Sequence, residues 1–385
     1  MRAINHKWKT SPRSGTLTRI ASLKLTGDFV LSLRAIGIAV SLTALISPIA
    51  ASATPLYNIV ELQPVEGTES VATSINNAGQ IVGYSAGVSG SFATKWSSSG
   101  APLSLGIGQA YGINDLGQAV GNDTSVAVTW TAGGTETGLG SLGGIHSDAR
   151  AINNAGVSVG FAADASNQYQ LATWSSVGAI SQLAVPLGTQ GCGGGTAINN
   201  GGEIAGTCGN GNYYQAYKWD TAGTPSPLGT AGPFASTTAY GINDSGVVVG
   251  SQLTGTGGNA LAWLTDGTVL NLAPQLDVAQ AQAINDVGAI VGFGYDSGSP
   301  EDAMLWSNGQ TIDLNNAIDP SFGWYLITAL DISNSGQIVG VGFLNGQRRG
   351  FLLTPIEAPE PATLTLFGVG LVCAIGARRR YKARL

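Results

Sequence analysis

A nine-residue marker, used seven times, constrains this chain more than any other feature. It reads Ile75-Asn-Asn-Ala-Gly-Gln-Ile-Val-Gly83 and returns at Ile113, Ile152, Ile198, Ile242, Ile284 and Ile332. Successive markers lie 38, 39, 46, 44, 42 and 48 residues apart. A period of that size implies supersecondary units that bury their apolar faces only by stacking on one another. A Trp follows each of the first six markers, at Trp96, Trp130, Trp174, Trp219, Trp263 and Trp306; Leu353 takes that place in the seventh.

Each marker has a mechanical reading. Asn at its second position and Gly three residues later are the signature of a type I turn, with Gly free to take positive φ. Asn76/Gly79 and Asn114/Gly117 are examples, and Ser333/Gly336 is the one variant. The turn joins a strand of small residues (ATSI, AYGI, ARAI) to an apolar one (QIVGYS, VVVGSQ). A third strand runs into the Trp and a short fourth follows it. Four short strands per unit match one propeller blade. The last repeat stops at Phe351-Leu352-Leu353-Thr354, one strand short, while Tyr57–Leu62 is a strand without a unit. The expectation is therefore an all-β, seven-bladed β-propeller of four-stranded blades over residues 54–356, closed by that N-terminal strand. An open β-solenoid is the rival, and it calls for capping repeats at both ends. Composition agrees with many tight turns: Gly supplies 57 of 385 residues and charged residues only 10%.

Charge is unevenly placed. Residues 54–361 hold five basic and 22 acidic side chains, a net of about −17. Such a body repels phosphate backbones, which argues against a nucleic-acid partner.

Both termini carry addresses. Residues 1–53 join a long basic stretch to an apolar run at 35–50 and to Ala51-Ser52-Ala53, the layout of a secretory signal peptide cleaved after Ala53. An uncleaved membrane anchor is the other reading, and the length of the basic stretch leaves the true translation start open. At the far end, Pro359-Glu360-Pro361 precedes the apolar segment 362–377 and then Arg378-Arg379-Arg380. Sixteen helical residues cover roughly 24 Å, and flanking side chains snorkel to complete a span. The arrangement resembles the PEP-CTERM sorting signal over residues 357–385. That resemblance implies an exosortase as processing partner, cleavage near Pro359–Pro361, passing inner-membrane anchorage through a C-terminal helix, a Gram-negative envelope, and a host that makes exopolysaccharide. An ordinary tail anchor is the alternative.

The repeat also resembles the extracellular HAF-repeat family, through Leu139-Gly-Ser-Leu-Gly-Gly144 and Ala149-Arg-Ala-Ile-Asn-Asn-Ala-Gly-Val-Ser-Val-Gly160. The family's name-giving His is absent. Phe92, Val126, Gln170, Gln215, Asn259 and Asp302 stand four residues before the tryptophans instead. The resemblance implies an exported, often surface-held protein and carries no activity.

Catalytic groups are scarce. His146, in what reads as a polar inter-blade loop, is the body's one imidazole, too few for a Ser-His-acid or Cys-His arrangement or for a His/Cys metal site. Neither a cofactor nor a resident metal is expected. Cys192 and Cys208 flank the turn 199–202 and fall nearly opposite each other, so an exported chain pairs them in a disulfide or keeps two free thiols. Cys373 belongs to the tail. The equal spacing of the repeat tryptophans argues for packing between blades and against stacking on sugars. Phe322, Trp324 and Tyr325 depart from the repeat and form either a hydrophobic plug or a ligand contact. Tyr213 and Tyr214 pose the same choice. The acidic loop Asp296–Asp302 is a solvated loop or a Ca²⁺ site. Asp115, Asp244 and Asp286 share one marker position. They converge on a face as glycosidase-type acids, or serve turn chemistry as Asn77, Asn154 and Asn200 do.

The reading that follows is an exported, surface-associated propeller scaffold without catalysis that touches extracellular polysaccharide or another envelope component. The alternative is a polysaccharide-active lyase or hydrolase using carboxylates at one propeller face.

Overall fold

The computed structural model describes residues 56–356, apart from 212, 230–235 and 255–256, with the backbone alone at 194–196. The signal segment with Ala51 and Ala53, Cys373, and the tail with Pro359, Glu360 and Pro361 lie outside the described residues. Among the described residues no helix is long and apolar enough to cross a membrane.

The described body is all-β, built of four-stranded antiparallel units, with two short 3-10 turns at Leu314–Ala317 and Pro320–Phe322. The first marker shows how a unit forms. Glu69–Ile75 meets Ile81–Gly87 across the turn Asn76–Gly79, where Gly79 adopts φ 73° and donates its N–H to the Asn76 carbonyl at 3.0 Å. The Asn76 side chain accepts from the N–H groups of Ala78 and Gln80, which locks the turn. Gly90–Trp96 and Pro102–Ile107 complete the sheet. Later units repeat this order, and those at 236–271 and 278–313 are joined by one parallel pairing, Gly258 with Val278. Tyr57–Leu62 pairs antiparallel with Gln347–Pro355, from Tyr57↔Pro355 to Leu62↔Gly350, and so supplies the fourth strand beside Trp324–Ile332 and Ile338–Leu344.

The core lies between units. Val82 and Ala93 of one sheet cluster with Ala110, Ile113, Val128 and Trp130 of the next. All six repeat tryptophans are at most 4% exposed, so packing and not sugar stacking accounts for them. Four indole N–H groups donate back to an earlier segment: Trp96 to Gln63 O, Trp130 to Leu105 O, Trp219 to Ala184 O and Trp263 to Gly229 O, at 2.7–3.0 Å. Leu353 pairs with Ile338 as Trp96 pairs with Ile81, and it is fully buried.

Cys192 and Cys208 are register partners joined by a disulfide. They close a 16-residue separation inside a glycine-rich hairpin, and both cysteines lie in a core cluster with Val159, Leu171, Ile204 and Trp219. Replacing both by Ala is expected to lower stability by about 2–3 kcal/mol. Urea unfolding with and without reductant checks this, and the double variant should be indifferent to reductant.

Candidate functional site

The site begins with an irregularity repeated in the first strand of nearly every unit. In six of the seven repeats the residue two before the marker Ile is skipped by the ladder, because the register passes from Ala72↔Gly83 to Ser74↔Val82, and likewise elsewhere. The skipped residues are Thr73, Tyr111, Arg150, Tyr240, Gln282 and Leu330. A β-bulge re-aims its extra side chain, and bulges gather beside functional sites. In the repeat holding the disulfide the ladder shifts twice, skipping Gly193 and Gly195.

The last marker Gly makes the bulge possible. A Cβ on Gly160 would stand 1.9 Å from the Asp148 carbonyl oxygen, and the equivalent glycines of the other five bulged repeats meet the same clash at 1.9–2.1 Å. Only Gly lets the second strand pass the bulged one so closely.

All six bulge residues line one cavity of about 400 Å³, with Phe161 and Gly193. The frame repeats, while the displayed side chains are a hydroxyl, two phenols, a guanidinium, an amide and an alkyl group. Arg150 is the best-fixed of them. Its guanidinium lies 4.2 Å over the Tyr111 ring and 5.8 Å from that of Phe161, and Nη2 donates to Asp148 Oδ2 at 2.5 Å. Burial outweighs the Arg150 charge and leaves the Asp148 carboxyl above its ordinary range. Burial, then the Asp148 charge, also raises the Tyr111 phenol, whose O–H donates to Gln109 Oε1 at 2.6 Å. The Thr73 hydroxyl donates to the Ala110 carbonyl of the neighbouring repeat at 2.8 Å.

A second, polar cavity of about 150 Å³ is lined by residues from all seven marker turns, and it contains the sequence-selected aspartates. Asp115, Asp244 and Asp286 do share this face, yet each serves as a link between turns. The N–H of Asn77 donates to Asp115, that of Asp115 to Asn154, that of Asn154 to Asn200 and that of Asn200 to Asp244. The series runs on from Asp244 to Asp286, to Asn334 and back to Asn77, every distance being 2.8–2.9 Å. Each link needs one side-chain oxygen as acceptor, which Asn and Asp supply equally well. Although its burial acts in the opposite sense, the hydrogen bonds from Asn154 and Asn77 hold Asp115 below the ordinary carboxylate range, so it is a poor proton donor. The marker isoleucines stand between the cavities: all seven line the polar one, and Ile113, Ile152, Ile198, Ile242 and Ile284 also face a cavity of about 220 Å³ beside the bulge residues.

The aromatic trio of residues 322–325 does not act as one surface. Phe322 is 52% exposed, Trp324 turns its ring edge-on to Phe351 at 6.3 Å against a hydrophobic cluster, and the Tyr325 hydroxyl donates to Asp302 Oδ1 and the Glu301 carbonyl. Burial and the Asp302 contact push that phenol strongly up. Glu301 in turn accepts from the Thr328 hydroxyl, so two acids of that loop, Glu301 and Asp302, hold the neighbouring strand Trp324–Ile332. Tyr213 and Tyr214 are about half exposed. His146 corrects an expectation: it lies within the strand Gly143–Ile152, exposed and stacked on Tyr169 at 6.5 Å, because a register shift between Gly143 and Ser147 carries the strand through the expected loop. A larger cleft of about 560 Å³ opens between the units bearing Trp263 and Trp306, where apolar side chains such as Leu270, Leu272, Pro274 and Ile290 mix with amides and hydroxyls such as Asn271, Gln275 and Thr311.

Sequence reasoning missed the bulge position. Its signal was present as the first x of A-x-x-I, which takes Thr, Tyr, Arg, Gln or Leu beside a position that holds a small residue in every repeat but the last.

Comparison with known proteins supplies one match to a family description and a set of structural likenesses. Residues 357–380 match the PEP-CTERM protein-sorting motif. Such a motif implies an exported chain that an exosortase sorts at the membrane. No curated protein sequence matches significantly. Among solved structures, a streptogramin B lyase is similar at 10% identity and TM-score 0.53, covering 77% of this chain and 98% of that one. A virginiamycin B lyase from Staphylococcus aureus is similar at 12% identity and TM-score 0.52, covering 78% and 100%. At that identity the likeness is one of fold, and the fold is propeller-like.

Proposed function

We propose that residues 54–356 form a closed seven-bladed propeller that works as a binding scaffold outside the cell, without catalysis, and engages extracellular polysaccharide or another envelope component. The observation that carries this is the cavity ringed by bulge residues: six unlike side chains displayed on a repeated frame describe a surface for recognition. Closure is supported by the pairing of Tyr57–Leu62 with the last strand and by the turn-to-turn series that returns to Asn77. The disulfide suits an oxidising exterior. The reading extends to the termini, with cleavage after Ala53, exosortase processing at Pro359–Pro361, temporary membrane anchorage by a helix at 362–377 and residence in a Gram-negative envelope or matrix. The HAF-repeat resemblance fits the same picture, and Phe322 remains available as an outlying contact. The carboxylates that an enzyme would use are occupied as turn links, which favours binding over cleavage.

The test is co-sedimentation of the mature exported protein with the host's exopolysaccharide, with the supernatant assayed for new sugar ends. Retention without new ends is expected. New ends that disappear in an Asp115→Asn variant would replace this reading with the lyase or hydrolase alternative.

A further inference from the structure

The bulge-ringed cavity is chemically uneven, and the unevenness names a ligand class. Among its lining side chains Arg150 is the one cation, and Tyr111, Phe161 and Tyr240 are half-buried aromatic rings that keep part of their surface open. The body's other basic residues are engaged elsewhere. Lys218, Arg348 and Arg349 pair with Glu203, Glu69 and Glu61, and Lys95 donates to the carbonyls of Gly117 and Ala132.

We propose, on the strength of the polysaccharide-binding reading, that this cavity takes a carboxylated sugar of the uronic acid class, with its carboxylate on Arg150 and its ring against the aromatic side chains. Arg150 is prepared for that contact. Asp148 fixes one guanidinium nitrogen and the Tyr111 face carries the plane, while the side chain stays 39% exposed. A guanidinium held this way gives up little side-chain freedom when it takes a carboxylate in its planar fork. Aromatic faces accept the apolar face of a pyranose, and the Gln282 amide stands in the same cavity to meet ring hydroxyls. A cavity of about 400 Å³ falls within the ordinary range of small-ligand sites. A bare inorganic anion would satisfy Arg150 and leave three rings unused.

The acidic exterior adds a restriction. With five basic against 22 acidic side chains in the body, a polyuronate laid along the flank meets like charge. That repulsion fades beyond about 8 Å at physiological ionic strength, so contact at the cavity decides binding. The ligand is therefore a chain end or a short oligosaccharide entering the cavity, and not a strand wrapped around the body.

Calorimetric titration of the mature exported protein with sodium trigalacturonate, maltotriose and sodium acetate tests this. Trigalacturonate is expected to bind at least ten-fold more tightly than maltotriose, with acetate weaker than either. Arg150→Gln should bring trigalacturonate down to the maltotriose level. If loss of the Asp148 partner unfolds that variant, Arg150→Lys, which keeps the charge but not the fork, should weaken trigalacturonate several-fold. Tyr240→Ala leaves the Asp148–Arg150 pair intact and should weaken both sugars. Equal binding of the two sugars, acetate binding as tight as trigalacturonate, or a preference that survives Arg150→Gln would overturn the proposal. Exopolysaccharide retained by a protein that ignores trigalacturonate sinks this inference alone, whereas failure of both removes the binding-scaffold reading with it.

Discussion

Replacing Gly160 by Ala is expected to cost at least about 3 kcal/mol of stability, far more than a Gly-to-Ala change costs in an ordinary strand. The added methyl would lie 1.9 Å from the Asp148 carbonyl oxygen and 2.9 Å from the Asp148 carbonyl carbon and the Ala149 Cα, all backbone atoms that no rotamer change can move. Relief requires the bulge at Arg150 to flatten. Flattening shifts the strand by one residue and turns its side chains to the opposite face. The variant should therefore lose Arg150 from the cavity as well as stability. Gly138→Ala is the control, because a Cβ there has open space and no unusual φ, and it should change stability by less than about 1 kcal/mol. Urea unfolding of both variants decides the matter. Equal midpoints would mean that the close approach is easily relaxed and that the last marker Gly has another purpose.

Asp331→Ala should weaken the protein on a similar scale, about 3–6 kcal/mol, because it strands three hydrogen-bond donors at the junction of the last and first repeats. Asp331 accepts from the Ser74 hydroxyl at 2.7 Å, from the Ile75 N–H at 2.9 Å and from the Ile332 N–H at 2.8 Å. Residues one before the other six marker isoleucines are Ser74, Gly112, Ala151, Ala197, Gly241 and Ala283, so a carboxylate occurs once, where the two chain ends of the array meet. Arg349 and Glu61 pair at 2.8 Å between the paired terminal strands.

The same group sets a pH dependence with a definite sign. Burial pushes the Asp331 carboxyl from the ordinary 3.8 up to about 6, against the pull of the hydrogen bonds from Ile75, Ser74 and Ile332. The folded chain thus holds this proton more tightly than the unfolded chain. Its contribution is fullest below about pH 4 and falls, by up to about 3 kcal/mol, as the pH rises through 6. Asp331→Asn keeps the size and an acceptor oxygen without the titration. Unfolding both proteins between pH 4 and 7.5 should show the wild type losing ground to the variant across that window. Parallel profiles would mean that the carboxyl does not titrate there.

How much of this was legible in advance depends on the range of each interaction. The turn Asn76–Gly79 was readable because its bonds join residues at most four apart, and positive φ at Gly79 follows from residue type alone. The strand character of each unit and the packing role of the tryptophans followed from regular spacing, since periodic burial leaves a periodic pattern. The double use of Asp115 was open in the sequence because the link it makes crosses 38 residues to Asn77 and 39 to Asn154. His146 was misplaced because a register shift inside a strand leaves no local mark.

By itself the sequence determined the repeat, the turn chemistry, the all-β class, the acidity of the body and the sorting motif at its end, all of which are written in residues close together along the chain. The tertiary structure alone decided that six bulge residues, spread from Thr73 to Leu330, face one cavity, and that Asp331 reaches Ser74 across 257 residues. The physical reason is that register and contacts between units are settled by strand pairing and backbone approach between residues distant in the chain. A missing Cβ permits that approach, and the sequence records it as nothing more than another glycine.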